Sequence, residues 1–164
     1  MNTNNHFIDI WTASALNSKT ATVSWVWSKS DGTNAHGNTK HLPQTKLELI
    51  AVIEAIIAHP GKSILIHTNS RYVIKGATRW IRTWKRNNWK NRLKQPVKHQ
   101  RLWEILDAAL DLGKIRFQLV KRGSCDPMQS RVHQLAKIAL FTPLPNKVAF
   151  TRQSKYIAPD KDSV

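Results

Sequence analysis

Residues 45–81, TKLELIAVIEAIIAHPGKSILIHTNSRYVIKGATRWI, decide how this chain folds. Leu47, Ile50, Ala51, Ile53 and Ile57 recur at three- and four-residue spacings from Thr45, which predicts a helix, and His59-Pro60-Gly61 stops it. KSILIHTN (62–69) then reads as a short buried strand, the type expected at the centre of a parallel arrangement. A second helix follows Ser70. In α/β folds a buried strand commonly carries a polar residue to its C-terminal end, where sites are built. Here that residue is Asn69. A carboxylate at such a strand end would bind a metal cation, whereas an amide carbonyl is a weak ligand by comparison.

Upstream, HFIDIWTAS (6–14) and TATVSWVWS (20–28) read as two strands, with Val23, Trp25 and Trp27 alternating with Ser24 and Val26. SDGTNAHGN (30–38) is turn chemistry, and NTKHLP (38–43) carries a third strand ending at Pro43. Downstream, LWEILDAALDL (102–112) predicts a helix stopped by Gly113, KIRFQLVK (114–121) an alternating strand, and MQSRVHQLAKIALF (128–141) a last helix. The order is three strands, helix, strand, helices, strand, helix. It predicts an α/β protein with a mixed five-stranded sheet, antiparallel over its first three strands and then parallel, flanked by helices. Residues 1–142 form one domain, and 143–164 read as a basic, extended tail.

A chain of 164 residues suits one domain with a real core. Apolar residues make up 41%, and no run approaches the roughly 18 uninterrupted apolar residues of a membrane helix. MNTNNHFID lacks the basic start and apolar run of a signal peptide. One cysteine, Cys125, excludes an internal disulfide and a cysteine-rich zinc site. These features lead us to expect a reducing compartment, the cytoplasm or an organelle matrix such as that of a mitochondrion.

Charge is the strongest compositional signal: 26 Lys+Arg against 10 Asp+Glu give +16. No acid falls between Glu54 and Glu104, while Lys62, Arg71, Lys75, Arg79, Arg82, Lys85, Arg86, Lys90, Arg92, Lys94, Lys98 and Arg101 all do. A basic surface this concentrated points to a polyanionic partner, nucleic acid, through sequence-independent phosphate contacts. The bland alternative is a solvated basic face. No membrane partner is expected, because the aromatics do not form an amphipathic stripe. Trp80 and Trp84 are spaced for packing between helices, and Trp89, flanked by Asn88 and Lys90, is placed to touch a nucleic-acid backbone.

Four segments in this order resemble bacterial-type, type 1 ribonuclease H. They are KLELIAVIEAI on the first helix, TNSRYVIKGATRWI after the fourth strand, WIRTWKRNNWKNRLKQPVKHQRLWEILDAAL (80–110), and PMQSRVHQLAKIA on the last helix. The third looks like the family's basic handle, with Trp80, Trp84, Trp89, Lys98, Trp103 and Asp107 in family positions. The resemblance runs from about Phe7 to Phe141 and implies a ribonuclease H-like fold. It implies contact with RNA or RNA–DNA hybrid through Lys75, Arg79, Arg82, Lys85, Arg86, Trp89, Lys90, Arg92, Lys94 and Lys98, with Gln44 and Thr45 standing where the family has paired Asn residues.

Family members cut the RNA strand of a hybrid with two divalent cations, usually Mg²⁺, held by four carboxylates. By position these fall here on Ala13, Glu48, Asn69 and His133, so one carboxylate of four remains. The family's mobile His falls on Gly123 of KRGSCDP, and its glycine-rich loop appears as NSKTATVS (17–24) with no glycine. Asp9 and Asp126 do not obviously compensate, although Asp126 lies in a loop that could approach the site. His133 with His67 could offer a transition-metal pair, but no further ligand is evident. Glu48 reads either as a relic ligand or as a helix acid held by Lys46 or another neighbour.

The expectation is a catalytically inactive ribonuclease H-like nucleic-acid binder with no intact catalytic set, no metal and no other cofactor. It would act alone or with proteins of a ribonucleoprotein such as the ribosome. The alternatives are weak, Mn²⁺-dependent hybrid cleavage by an altered site, and a protein-interaction scaffold.

Overall fold

The computed structural model describes residues 6–111 and 114–142. Five strands, β1 (Ile8–Asn17), β2 (Thr22–Lys29), β3 (Asn34–Lys40), β4 (Ile64–Thr68) and β5 (Ile115–Leu119), form one sheet in the order β3-β2-β1-β4-β5. The β1–β2 and β2–β3 pairs are antiparallel, and β1–β4 and β4–β5 are parallel. This is the mixed sheet expected from the element order, and a ribonuclease H-like architecture.

Helix α1 (Gln44–Ile57) covers one face of the sheet. Its apolar positions Leu47, Leu49, Ile50, Val52 and Ile53 pack with Ile10, Val23 and Trp27 of the first two strands and with Ile64 and Ile66 of β4. Ile10, Ile64 and Ile66 are fully buried. Each such aliphatic side chain stabilises the fold by about 1.5–3 kcal/mol relative to exposure. The opposite face is smaller: Ala13 and Val26 meet Val132, Ala136 and Ala139 of α5 (Pro127–Ala139).

The third strand differs from its sequence reading. The turn is confined to residues 30–33, closed by Lys29 N–H donating to the Thr33 carbonyl and Thr33 N–H donating to Asp31 Oδ1. Ala35, His36 and Gly37 then pair with β2, and the strand ends at Lys40 rather than Pro43, which caps α1. Gly37 lies opposite Trp25, and a Cβ there would sit 2.6 Å from the indole nitrogen. A glycine that reads as a turn signal is instead the space into which a tryptophan fits.

The stretch after Ser70 is also more articulated than one helix. It comprises α2 (Arg71–Lys75), a π-helical turn (Gly76–Trp80) and α3 (Ile81–Arg86). Helix α4 (Gln100–Asp111) follows, starting two residues before the expected Leu102. The predicted stop at Gly113 and the tail 143–164 lie outside the described residues. No helix among the described residues is long and apolar enough to cross a membrane.

Candidate functional site

Parallel β4 and β5 deliver their C-terminal ends to the same edge of the molecule, where Val120 N–H donates to the Thr68 carbonyl. An open cleft of about 650 Å³ lies there, lined by residues of α1, α5, the end of β1 and the loop after β5. It brings together Glu48, Asn69 and His133, three of the four positions singled out in the sequence. Ala13 does not line it. It is buried against α5, while its neighbours Ser14 and Ala15 face the opening.

The polar groups are bonded to one another. Asn69 Nδ2 donates to His133 Nε2 at 3.1 Å, joining the end of β4 to α5. An imidazole that accepts at Nε2 is neutral, with its proton on Nδ1. The surroundings favour that form: burial, and then the charges of Lys137 and Arg122, hold the His133 pKa below its ordinary value. Glu48 accepts a short hydrogen bond from the Ser70 hydroxyl, which in turn accepts from Val73 N–H as the N-cap of α2. The neighbour holding Glu48 is therefore Ser70. Gln44 Nε2 donates to Ser14 Oγ at 3.1 Å, while Thr45 is exposed.

The nearby acids are engaged elsewhere. Asp126 does not reach into the site as its loop position allowed; it is the N-cap of α5, accepting from Met128 and Gln129 N–H and from the Trp11 indole at 3.2 Å. Burial works against its charge, but these donors and the nearby His67 hold its carboxyl below the usual range. An Asp-Pro pair before an apolar helix already signals that capping role. Asp9 accepts from His67 Nε2 at 2.7 Å, and Trp11 stacks on the same imidazole at 4.4 Å. His67 and His133 thus have separate partners. Among the described residues no group of three or more His, Cys, Asp or Glu could hold a metal ion.

The sequence reading missed the cations of the cleft. Lys121 and Arg122 follow β5, and Lys137 stands one helical turn beyond His133 on α5. A neighbouring recess of about 580 Å³ adds Arg71 to Glu48, Asn69, Lys121 and Arg122. All four cations are exposed, and among the described residues none has a carboxylate partner. Lys121-Arg122 at the end of the last strand, and the four-residue step from His133 to Lys137, were the available signals.

The handle keeps its expected residues on the surface. Lys75, Arg79, Arg82, Lys85, Arg86, Lys90, Arg92, Lys94 and Lys98 are all exposed, and Trp89 is half-buried. Of these cations only Lys85 has a carboxylate partner among the described residues, Asp107 at 2.8 Å. Beneath them Tyr72, Trp80, Trp84, Trp89 and Trp103 form a chain of ring contacts with centroids 5.3–6.4 Å apart. Trp80 and Trp84 are packing residues, and Trp89 joins the same cluster at a tilt against Trp84. The loop after α3 turns back through residues of positive φ, Asn88, Trp89 and Lys94. Asn91 fixes it by accepting from Leu93 and Gln95 N–H.

The RNase H family model matches residues 4–140. The ribonuclease H of Parvibaculum lavamentivorans is 38% identical over 112 residues, covering 68% of this chain and 75% of that protein. That of Bordetella pertussis is 32% identical over 134 residues, covering 79% and 86%. Among solved structures, a foamy viral protease-reverse transcriptase in complex with RNA/DNA hybrid superposes with a TM-score of 0.68 at 18% identity, over 84% of this chain and 20% of that one. The same viral protein in complex with dsDNA gives 0.68 over 86% of this chain. Those two likenesses concern the fold. Together, the sheet order, the family match and the bacterial relatives establish that this chain belongs to the type 1 ribonuclease H family.

Proposed function

We propose that this chain binds RNA–DNA hybrid or structured RNA through its basic handle and does not cut it. The observation that carries this reading is the hydrogen bond between Asn69 and His133. Two positions that in the family supply anionic ligands are here neutral groups bonded to each other. Mg²⁺ sheds its water reluctantly and demands several anionic or strongly polar oxygens. The donor set offers one carboxylate, Glu48, already bonded to Ser70, with an amide and an imidazole beside it. These residues do not fit a pair of Mg²⁺ ions.

What favours retained binding is the handle. Its cations are exposed and its loop is closed by its own hydrogen bonds. Phosphate contacts by such side chains give affinity that falls steeply with salt and carries little sequence preference. A place in a ribonucleoprotein, in the cytoplasm or an organelle matrix, suits the same charge.

The test uses the full chain with a labelled RNA–DNA hybrid, duplex RNA and duplex DNA across a salt series, scored for binding and for cleavage with Mg²⁺ and with Mn²⁺. Salt-steep binding without product is the expected result. Metal-dependent product that disappears in Glu48→Gln would overturn the reading and establish an altered but working nuclease. Stable capture of a protein partner with no affinity for any duplex would replace it by a scaffold.

A further inference from the structure

The cleft has changed sign as well as lost ligands. Around the single carboxylate of Glu48 stand Lys121, Arg122, Lys137 and Arg71, none of them ion-paired among the described residues. They come from three elements that meet at one edge: the segment after β5, the helix α5 and the start of α2. Four unpaired cations so placed repel a divalent cation and attract an anion. Two of them, Lys137 and Arg122, are close enough to His133 to disfavour its protonation, an independent sign that they face the cleft. Asn69 and His133, hydrogen-bonded to each other in its lining, add no negative charge.

We propose that this cleft seats a phosphodiester of the bound nucleic acid directly on protein cations, chiefly Lys121, Arg122 and Lys137, with no metal ion between. The inference rests on the reading that the chain binds nucleic acid. It adds that the former centre of catalysis is itself a binding subsite and that binding is independent of divalent metal. The guanidinium of Arg122 can present two parallel N–H donors to a phosphate, and the lysines contribute point charges. No bond forms or breaks; a displaced counterion is the only product.

The experiment measures affinity for a short RNA–DNA hybrid in excess EDTA and in Mg²⁺, over a salt series, for the wild type and two variants. One variant is Lys121→Ala with Arg122→Ala; the other removes handle charge, Lys90→Ala with Arg92→Ala. Hybrids carrying a single neutral methylphosphonate, moved one position at a time, locate each phosphate contact. Wild-type affinity should be equal in EDTA and Mg²⁺ apart from ionic screening. Loss of that phosphate contact should lower the salt slope of the cleft variant by about 1. At one position along the hybrid the methylphosphonate should weaken wild type and the handle variant but leave the cleft variant unaffected.

If EDTA abolishes wild-type binding, or the cleft variant keeps the wild-type slope and methylphosphonate profile, the cleft inference fails and the handle reading stands. If the wild type binds no duplex at all, both readings fall together. All four replaced residues are exposed, so their replacement leaves the core intact, and an unchanged thermal midpoint confirms it.

Discussion

The cleft and the handle lie on the same framework but have been treated in opposite ways. The cleft holds a single carboxylate, Glu48, beside an amide and an imidazole bonded to each other, Asn69 and His133, where α1, β4 and α5 meet. In the handle, the aromatic cluster and the exposed cations are all present. The difference shows that the polar groups of the cleft are a thin layer over an independent core. A carboxylate cluster is held together by the metal it binds, and without it like charges repel. An amide and a neutral imidazole carry no such repulsion and here share an internal hydrogen bond. The handle has no such freedom, since its rings pack directly on the body of the protein.

The comparison can be broken at the handle first. Trp103 is fully buried, touches Tyr72 and Trp84, and donates its indole N–H to the Tyr72 hydroxyl. Trp103→Ala should cost about 3–5 kcal/mol in urea unfolding, as expected for a large aromatic removed from a packed core. A loss below about 1 kcal/mol would show that the cluster does not support the fold. Restoring acids to the cleft should have the next largest effect. Ala13→Asp, Asn69→Asp and His133→Asp together should lower stability in EDTA by about 2 kcal/mol, because Ala13 is buried and the new charges crowd Glu48. Mg²⁺ should recover part of that loss as a concentration-dependent rise in thermal midpoint. An indifferent midpoint would mean that more than ligand identity separates this cleft from a metal site.

At the rim, Asp126→Ala should cost about 1–2 kcal/mol by removing the α5 cap, measured by chemical unfolding, and Asp126→Asn should cost less because it can still cap. Equal losses for the two would shift the emphasis from the cap to the carboxylate's charge. The smallest effect is the titration of His133. Its pKa in the fold lies below the unfolded value, so the unfolded chain takes up the proton first and stability rises with pH. The contribution is complete above the ordinary imidazole value of 6.5 and is lost as pH falls from there through the lowered one. His133→Gln should flatten the stability curve across that window; an unchanged slope would place the titration in other groups.

The framework was legible because its signals are local and periodic. The apolar spacing of α1, the continuous run of β4 and the amphipathic last helix each state their own identity. Strand β3 was misplaced because Asn34 and Gly37 carry turn character in sequence, and their strand role depends on their partners across the ladder, Ser28 and Trp25. The π-helical turn and the positive φ of Trp89 were invisible for a similar reason, since tertiary packing imposes them on residues that do not favour them. At the cleft, position alone brought Glu48, Asn69 and His133 forward, but their partners could not be read. Ser70 as the donor to Glu48, and Asp126 as a cap instead of a site acid, depend on which elements meet there.

One contact has a mechanical consequence. A Cβ at Gly76 would overlap the ring of Trp103, so the indole lies flush on the backbone of the π-helical turn. The stem of the handle thereby meets α4 through a ring against bare main chain, a joint in which one of the two surfaces has no side chain to move. On the reading that the handle meets a duplex, a stem so held would act as one jaw of a caliper set on the body of the protein. A caliper measures the width and pitch of what is placed in it, and duplexes of different helical form differ in both. On the reading that the chain binds nucleic acid, its selectivity would arise from gauge rather than from any base it reads.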